Sequence, residues 1–183
     1  LIPNPSFETL DLDGWAPEWL RTSTTTTTID TQNHGNAPFP THSLKMSGGE
    51  TMNGILGPSI PVSTTTSYEL RMFQDASSYI GGSWGVWMVE LDSEGLYIGE
   101  KLVGVNESDF FGVRHYAYTP YASSTAFIRP FIATFASSSF DLFIDSVYFG
   151  SVSPTLPDLL PPVITLLGST TMDTLVGSSF TEP

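Results

Sequence analysis

The apolar run FDLFIDSVYF at 140–149 holds an acid, Asp145, in its middle, and the chain opens on LIPNPSFE, which ends in a second acid, Glu8. A carboxylate inside an apolar strand loses its hydration, so Asp145 requires a backbone donor, a cation or a strand-edge position that reaches water. Calcium takes oxygen ligands from distant points of a chain and would compensate both acids together. Hydrogen bonds from backbone or hydroxyl donors would do so without an ion. Two further acid pairs, Asp92 with Glu94 and Glu107 with Asp109, have the residue types of a glycosidase, which needs two carboxyls at a fixed separation with pKa values pushed apart. Both pairs lie in turn-like polar sequence, where solvated acids are expected. His34, His42 and His115 form no HExxH spacing, the chain has no cysteine, and no G-x-S-x-G elbow stands between a strand and a helix. The glycine pairs 48–49 and 81–82 are not followed by the Lys-Ser/Thr of a phosphate-binding loop and read as turns. Recognition, not catalysis, is the expected task.

Recognition by stacking has its own residue types. Sugars present flat C–H faces rimmed by hydroxyls, which exposed aromatic rings flanked by carboxylates, amides and guanidinium groups bind. The candidates are Trp84, Tyr79, Tyr97, Tyr116, Tyr118 and Tyr121, with Arg71, Gln74, Glu90 and Arg114 as polar neighbours. Trp84 follows SYIGGS and opens a strand, so it is either a loop-edge platform or a packing residue. Tyr116 and Tyr118 share a strand face with Arg114, and the stripe either lines a groove or covers an outer sheet. Glu90 alternates with Met88 and Val86 and is either an acceptor for sugar hydroxyls or a solvated strand end. Trp87, in register with Val89 and Leu91, is expected in the core.

Positioning these residues falls to strands. Helix formers are sparse, and short β-rich runs recur at 1–10, 20–31, 42–47, 52–60, 67–74, 84–91, 97–103, 110–119, 126–134 and 140–149. Ten strands punctuated by Gly, Asn, Asp, Ser and Pro define an all-β, antiparallel two-sheet sandwich. DSEG at 92–95 reads as a hairpin connection, and the Thr-rich tract 22–28 as a polar edge or outer-face strand. Nineteen acidic against six basic residues give a net charge of −13, which repels nucleic acid and anionic surfaces and leaves neutral glycans, proteins and divalent cations as partners. No stretch has the length of a membrane span, so direct membrane insertion is not expected. Leu1 is not Met, and the chain is expected to be a processed or excised piece of a larger protein. The proline-dense segment 151–162 reads as a linker between a 1–150 domain and a partial strand pair at 163–183.

LIPNPSFE, Gly14-Trp15, HSLKM at 42–46, IPVSTTTSYELRMF at 60–73, the VELDSEG turn and FDLFIDSVYF resemble, in order and spacing, the jelly-roll carbohydrate-binding modules of the group that includes families 4, 9 and 22. The tail PPVITLLGSTTMDTLVGSSFTEP resembles the opening of bacterial immunoglobulin-like repeats. The resemblance implies a jelly roll over 1–150 and a structural calcium ion held by Glu8, Asp145 and the backbone at Lys45. It implies that Trp15 packs in the core and that a ligand groove crosses one sheet. It further implies a secreted or cell-surface modular protein whose module binds a neutral polysaccharide or surface glycan beside further domains of the same polypeptide. A structural or adhesive spacer is the alternative.

Overall fold

The computed structural model describes residues 2–22, 26–31 and 41–152. In chain order its strands are β1 (Leu20–Arg21), β2 (Thr27–Asp30), β3 (Ser43–Ser47), β4 (Asn53–Leu56), β5 (Ile60–Pro61), β6 (Tyr68–Asp75), β7 (Trp84–Leu91), β8 (Tyr97–Asn106), β9 (Phe111–Tyr118), β10 (Phe127–Thr134) and β11 (Asp141–Ser151). Two antiparallel sheets form, one ordered β1-β4-β10-β7-β8 with β5 also on β10, the other β2-β3-β11-β6-β9. We call them the β7 sheet and the β6 sheet. There is no helix among the described residues, and the architecture is the expected jelly-roll sandwich.

Period-two alternation explains the packing. Tyr68, Leu70 and Met72 of β6 face inward while Glu69 and Arg71 face out. Across the interior, Val86 and Met88 of β7 and Ile128 and Ile132 of β10 meet Leu44, Met46, Leu142 and Ile144, all of them fully buried. Asp92 caps the β7–β8 hairpin as the DSEG motif implies: its carboxylate accepts from the Glu94 and Leu96 N–H groups at 2.8 and 2.9 Å.

Three strand expectations change. Residues 2–10 form turns and irregular backbone instead of a strand. The run 20–31 divides between β1 and β2, which belong to different sheets, and 52–60 ends as β4, with β5 beginning anew at Ile60. The domain edge expected at 150 falls within β11, which runs to Ser151, while the linker and immunoglobulin-like readings lie from residue 153 onward outside the described residues.

Candidate functional site

The outward face of the β7 sheet carries a candidate site. Register places Leu102, Trp87, Phe131, Leu56 and Leu20 directly opposite one another on successive strands β8, β7, β10, β4 and β1. This apolar row crosses five strands, roughly 19 Å at ordinary strand spacing. Beside it runs a row of small residues, Gly85, Ala133 and Gly54. The rings lean over that row: a Cβ on Gly85 would stand 2.6 Å from the Trp87 indole, and one on Gly54 2.8 Å from the Phe131 ring. Glycine therefore lets both rings lie low on the sheet with a face toward solvent. Trp87 lies 5.4 Å from Phe131 and 5.4 Å from Phe135, ring centre to ring centre, which joins the three half-buried rings into one platform.

Polar groups flank the platform on its other side. Glu100, Val89 and Arg129 form the next row across β8, β7 and β10. Arg129 is anchored by its Nε, which donates to the Gly57 carbonyl at 2.7 Å where β4 gives way to β5. Partial burial lowers its pKa. Tyr97 stands opposite Leu91 at the start of β8 and is 64% exposed, so it extends the same face.

Among the expected ligand residues, Tyr97 alone joins this face. Trp84 is fully buried, with its Nε1 donating to the Gln74 side-chain oxygen at 3.4 Å. Tyr116 donates to the same oxygen at 3.2 Å and receives the Asn106 amide at 3.2 Å. Arg114 stacks on Phe110 at 3.8 Å, with Trp84 at 6.0 Å, and Tyr79 packs on Trp84 while donating to the Gly82 carbonyl. Trp84, Gln74, Tyr116, Arg114 and Tyr79 thus do gather, but between the sheets, where they order the core. Tyr118 and Glu90 are likewise interior. Glu90 accepts from the Tyr118 hydroxyl at 2.5 Å, the Tyr121 and Ala122 N–H groups and the Thr125 hydroxyl. Desolvation pushes the Glu90 carboxyl up, yet these donors outweigh it and leave the pKa below its ordinary value. Desolvation, then the Glu90 hydrogen bond and charge, raise the Tyr118 hydroxyl. Arg71 lies on the opposite sheet's outer face, over Tyr148 at 4.3 Å and 3.3 Å from Glu69. Tyr121 is 53% exposed at the sandwich edge beside Gly99.

Trp87 is the residue that sequence reasoning placed wrongly. Both faces of β7 are apolar, so alternation alone leaves its parity undecided. The available signal was Gly85 two positions away, matched by the small–large pairs Gly54/Leu56 and Ala133/Phe131 in the neighbouring strands.

The expected calcium ligands are arranged otherwise. Glu8 Oε1 accepts the Thr41 and His42 N–H groups at 2.7 and 3.0 Å, while Oε2 accepts the Thr41 hydroxyl at 2.8 Å and meets the His42 ring at 3.0 Å. Those four partners fill the four acceptor sites of a carboxylate. Desolvation raises the Glu8 pKa, but the His42 and Thr41 hydrogen bonds together hold it at about 2. Asp145 is fully buried at a β-bulge, where the Ser146 N–H donates to it at 2.5 Å and the Val147 N–H turns to the Pro5 carbonyl. The Lys45 ammonium pairs with Asp141 at 2.8 Å. Among the described residues no three His, Asp or Glu side chains converge into one cluster.

The jelly-roll sandwich is the fold of several solved carbohydrate-binding modules. Solved structures similar to the chain include the xylan-binding CBM22-1 domain of Paenibacillus barcinonensis Xyn10C, at 12% identity and TM-score 0.56 over 81% of this chain and 92% of that one. TmCBM61 in complex with β-1,4-galactotriose matches at 15% identity and TM-score 0.51, over 81% and 96%. An arabinose-bound MgGH51 α-L-arabinofuranosidase matches at 14% identity and TM-score 0.60 over 82% of this chain but 26% of its own. The chain spans only 21% to 28% of the length of three of the matched structures. No protein-family model and no curated protein matches the sequence.

Proposed function

We propose that the chain is a non-catalytic carbohydrate-binding module of a secreted or cell-surface protein, and that the outer face of the β7 sheet holds the sugar. The observation that carries this reading is the platform of Trp87, Phe131 and Phe135, half-buried on the sheet's outer face and laid low over Gly85 and Gly54. Pyranose rings would stack there through their apolar faces while Arg129, Glu100 and Tyr97 exchange hydrogen bonds with the hydroxyls. The charge of −13 favours a largely neutral polymer. Likeness to glycan-binding folds supports the reading. A glycan array probed with the full chain tests it: signal on neutral polysaccharide fragments that disappears with Trp87→Ala supports stacking, and a blank array refutes it.

The adhesive alternative has one observation in its favour. On the β6 sheet's outer face Phe111 is 68%, Val113 50% and Tyr148 40% exposed, an apolar patch suited to a protein contact.

A further inference from the structure

The chain has six basic residues, and all of them are described. Arg21 lies over Trp15 and reaches the Thr27 carbonyl, Lys45 pairs with Asp141, Arg71 pairs with Glu69, and Arg114 covers Phe110. Lys101 is exposed on the edge strand β8. Among the described residues Arg21 and Arg114 also form no ion pair, but each lies over an aromatic ring. Arg129 is half-buried on the outer face of the β7 sheet, holds the Gly57 carbonyl through Nε, and has neither an ion pair nor a ring beneath it among the described residues, in a chain where acids outnumber bases by nineteen to six.

A partly desolvated cation lacking an anion is unfavourable until something supplies one. Fixing Nε to a backbone carbonyl orients the plane of the guanidinium and leaves its two terminal nitrogens as a fork. That fork matches a carboxylate bidentately, a geometry that neutral hydroxyls reproduce less well. Arg129 belongs to β10, as does Phe131 two residues on, so the fork borders the aromatic platform. Glu100 occupies the same row two strands away, about 10 Å off, and repels a negative group at that end.

Resting on the stacking reading above, we propose that this face prefers a glycan whose neutral backbone carries a uronic acid substituent, with Arg129 as the residue that reads the carboxylate. A polymer of uronates would meet the repulsion of the whole acidic molecule. An isolated substituent held in contact with Arg129 interacts over a distance shorter than the screening length, about 8 Å at physiological salt, and escapes most of it.

The test uses the full chain and matched oligosaccharide pairs in calorimetric titration: xylan, glucan and mannan fragments, each with and without a single glucuronic acid branch, plus the methyl ester of the branched form. The expected result is about tenfold tighter binding of the acid than of its unsubstituted partner or ester on the backbone that binds, the worth of one charge-assisted contact. The advantage shrinks with added salt. Arg129→Gln abolishes the difference between the acid and its methyl ester, whatever its effect on the neutral fragments, and Arg129→Lys keeps only part of that difference. Equal affinity for acid and ester in the unmodified protein overturns the proposal and leaves the stacking reading intact. So does an acid preference that survives in Arg129→Gln. If no fragment of any pair binds, both fail. The ester comparison requires no variant, so poor folding of Arg129→Gln cannot hide the answer.

Discussion

Trp84 and Trp87 stand three positions apart on β7 and therefore point to opposite sides of the sheet. The first is fully buried against Tyr79 and Phe140; the second rests on Gly85 with a face toward water. Trp84→Ala is expected to lower stability by about 3–5 kcal/mol through loss of a large core side chain. Trp87→Ala should cost much less stability and instead remove sugar binding; urea unfolding of both variants, set beside their titrations, separates the two roles. Glu90 makes a second case. Its carboxylate serves four donors, and Glu90→Gln turns an amide N–H₂ against two of them, with an expected loss of about 2–4 kcal/mol at neutral pH. Because the folded-state pKa lies below the ordinary 4.5, the stabilisation is complete above that value and declines as pH falls beneath it. The gap in melting temperature between wild type and Glu90→Gln should therefore narrow from pH 7 to pH 3, and a constant gap would contradict the assignment.

Among elements, the strands with strict alternation or a bracketing turn were legible in the chain. β6 shows it in the Tyr68, Leu70, Met72 series, and the β7–β8 hairpin in DSEG. What the sequence did not disclose was parity on β7 and β10, where apolar side chains occupy both faces and burial is decided by which sheet lies opposite. The split at 20–31 was hidden for a related reason, since a run that passes from one sheet to the other keeps its composition; at 52–60 both pieces stay on β10, and the break at 57–59 leaves the strand composition unchanged. The paired small and large residues on β4, β7 and β10 make a testable element: the atoms nearest an added Gly85 Cβ all belong to the Trp87 ring, so Gly85→Ala should lift the indole from the sheet. We expect a shifted tryptophan emission and weaker glycan binding with the melting curve little changed. At the N-terminal clamp, Glu8 carries a pKa of about 2 against an ordinary 4.5, so its stabilisation is full above 4.5 and lost as pH falls toward 2. Chelator should leave the melting temperature unchanged in protein free of tightly held metal, while Glu8→Ala lowers it. A drop with chelator would restore a calcium ion that displaces the Thr41 and His42 donors.

At the scale of the whole molecule, one sandwich presents two unlike outer faces. The β7 sheet offers Trp87, Phe131 and Phe135 beside Arg129; the β6 sheet offers Phe111, Val113 and Tyr148 beside Arg71. The net charge of −13 belongs to the whole chain, disfavours anionic polymers at either face and does not choose between them. The central claim is that the β7 face binds the sugar, and the most direct measurement is calorimetric titration of one bound oligosaccharide against two double variants of the full chain. Trp87→Ala with Phe131→Ala is predicted to abolish the heat of binding, whereas Phe111→Ala with Tyr148→Ala should leave affinity within about twofold, both proteins having been shown folded by their melting curves. Retained binding in the first variant and loss in the second would move the site to the β6 sheet and contradict the account.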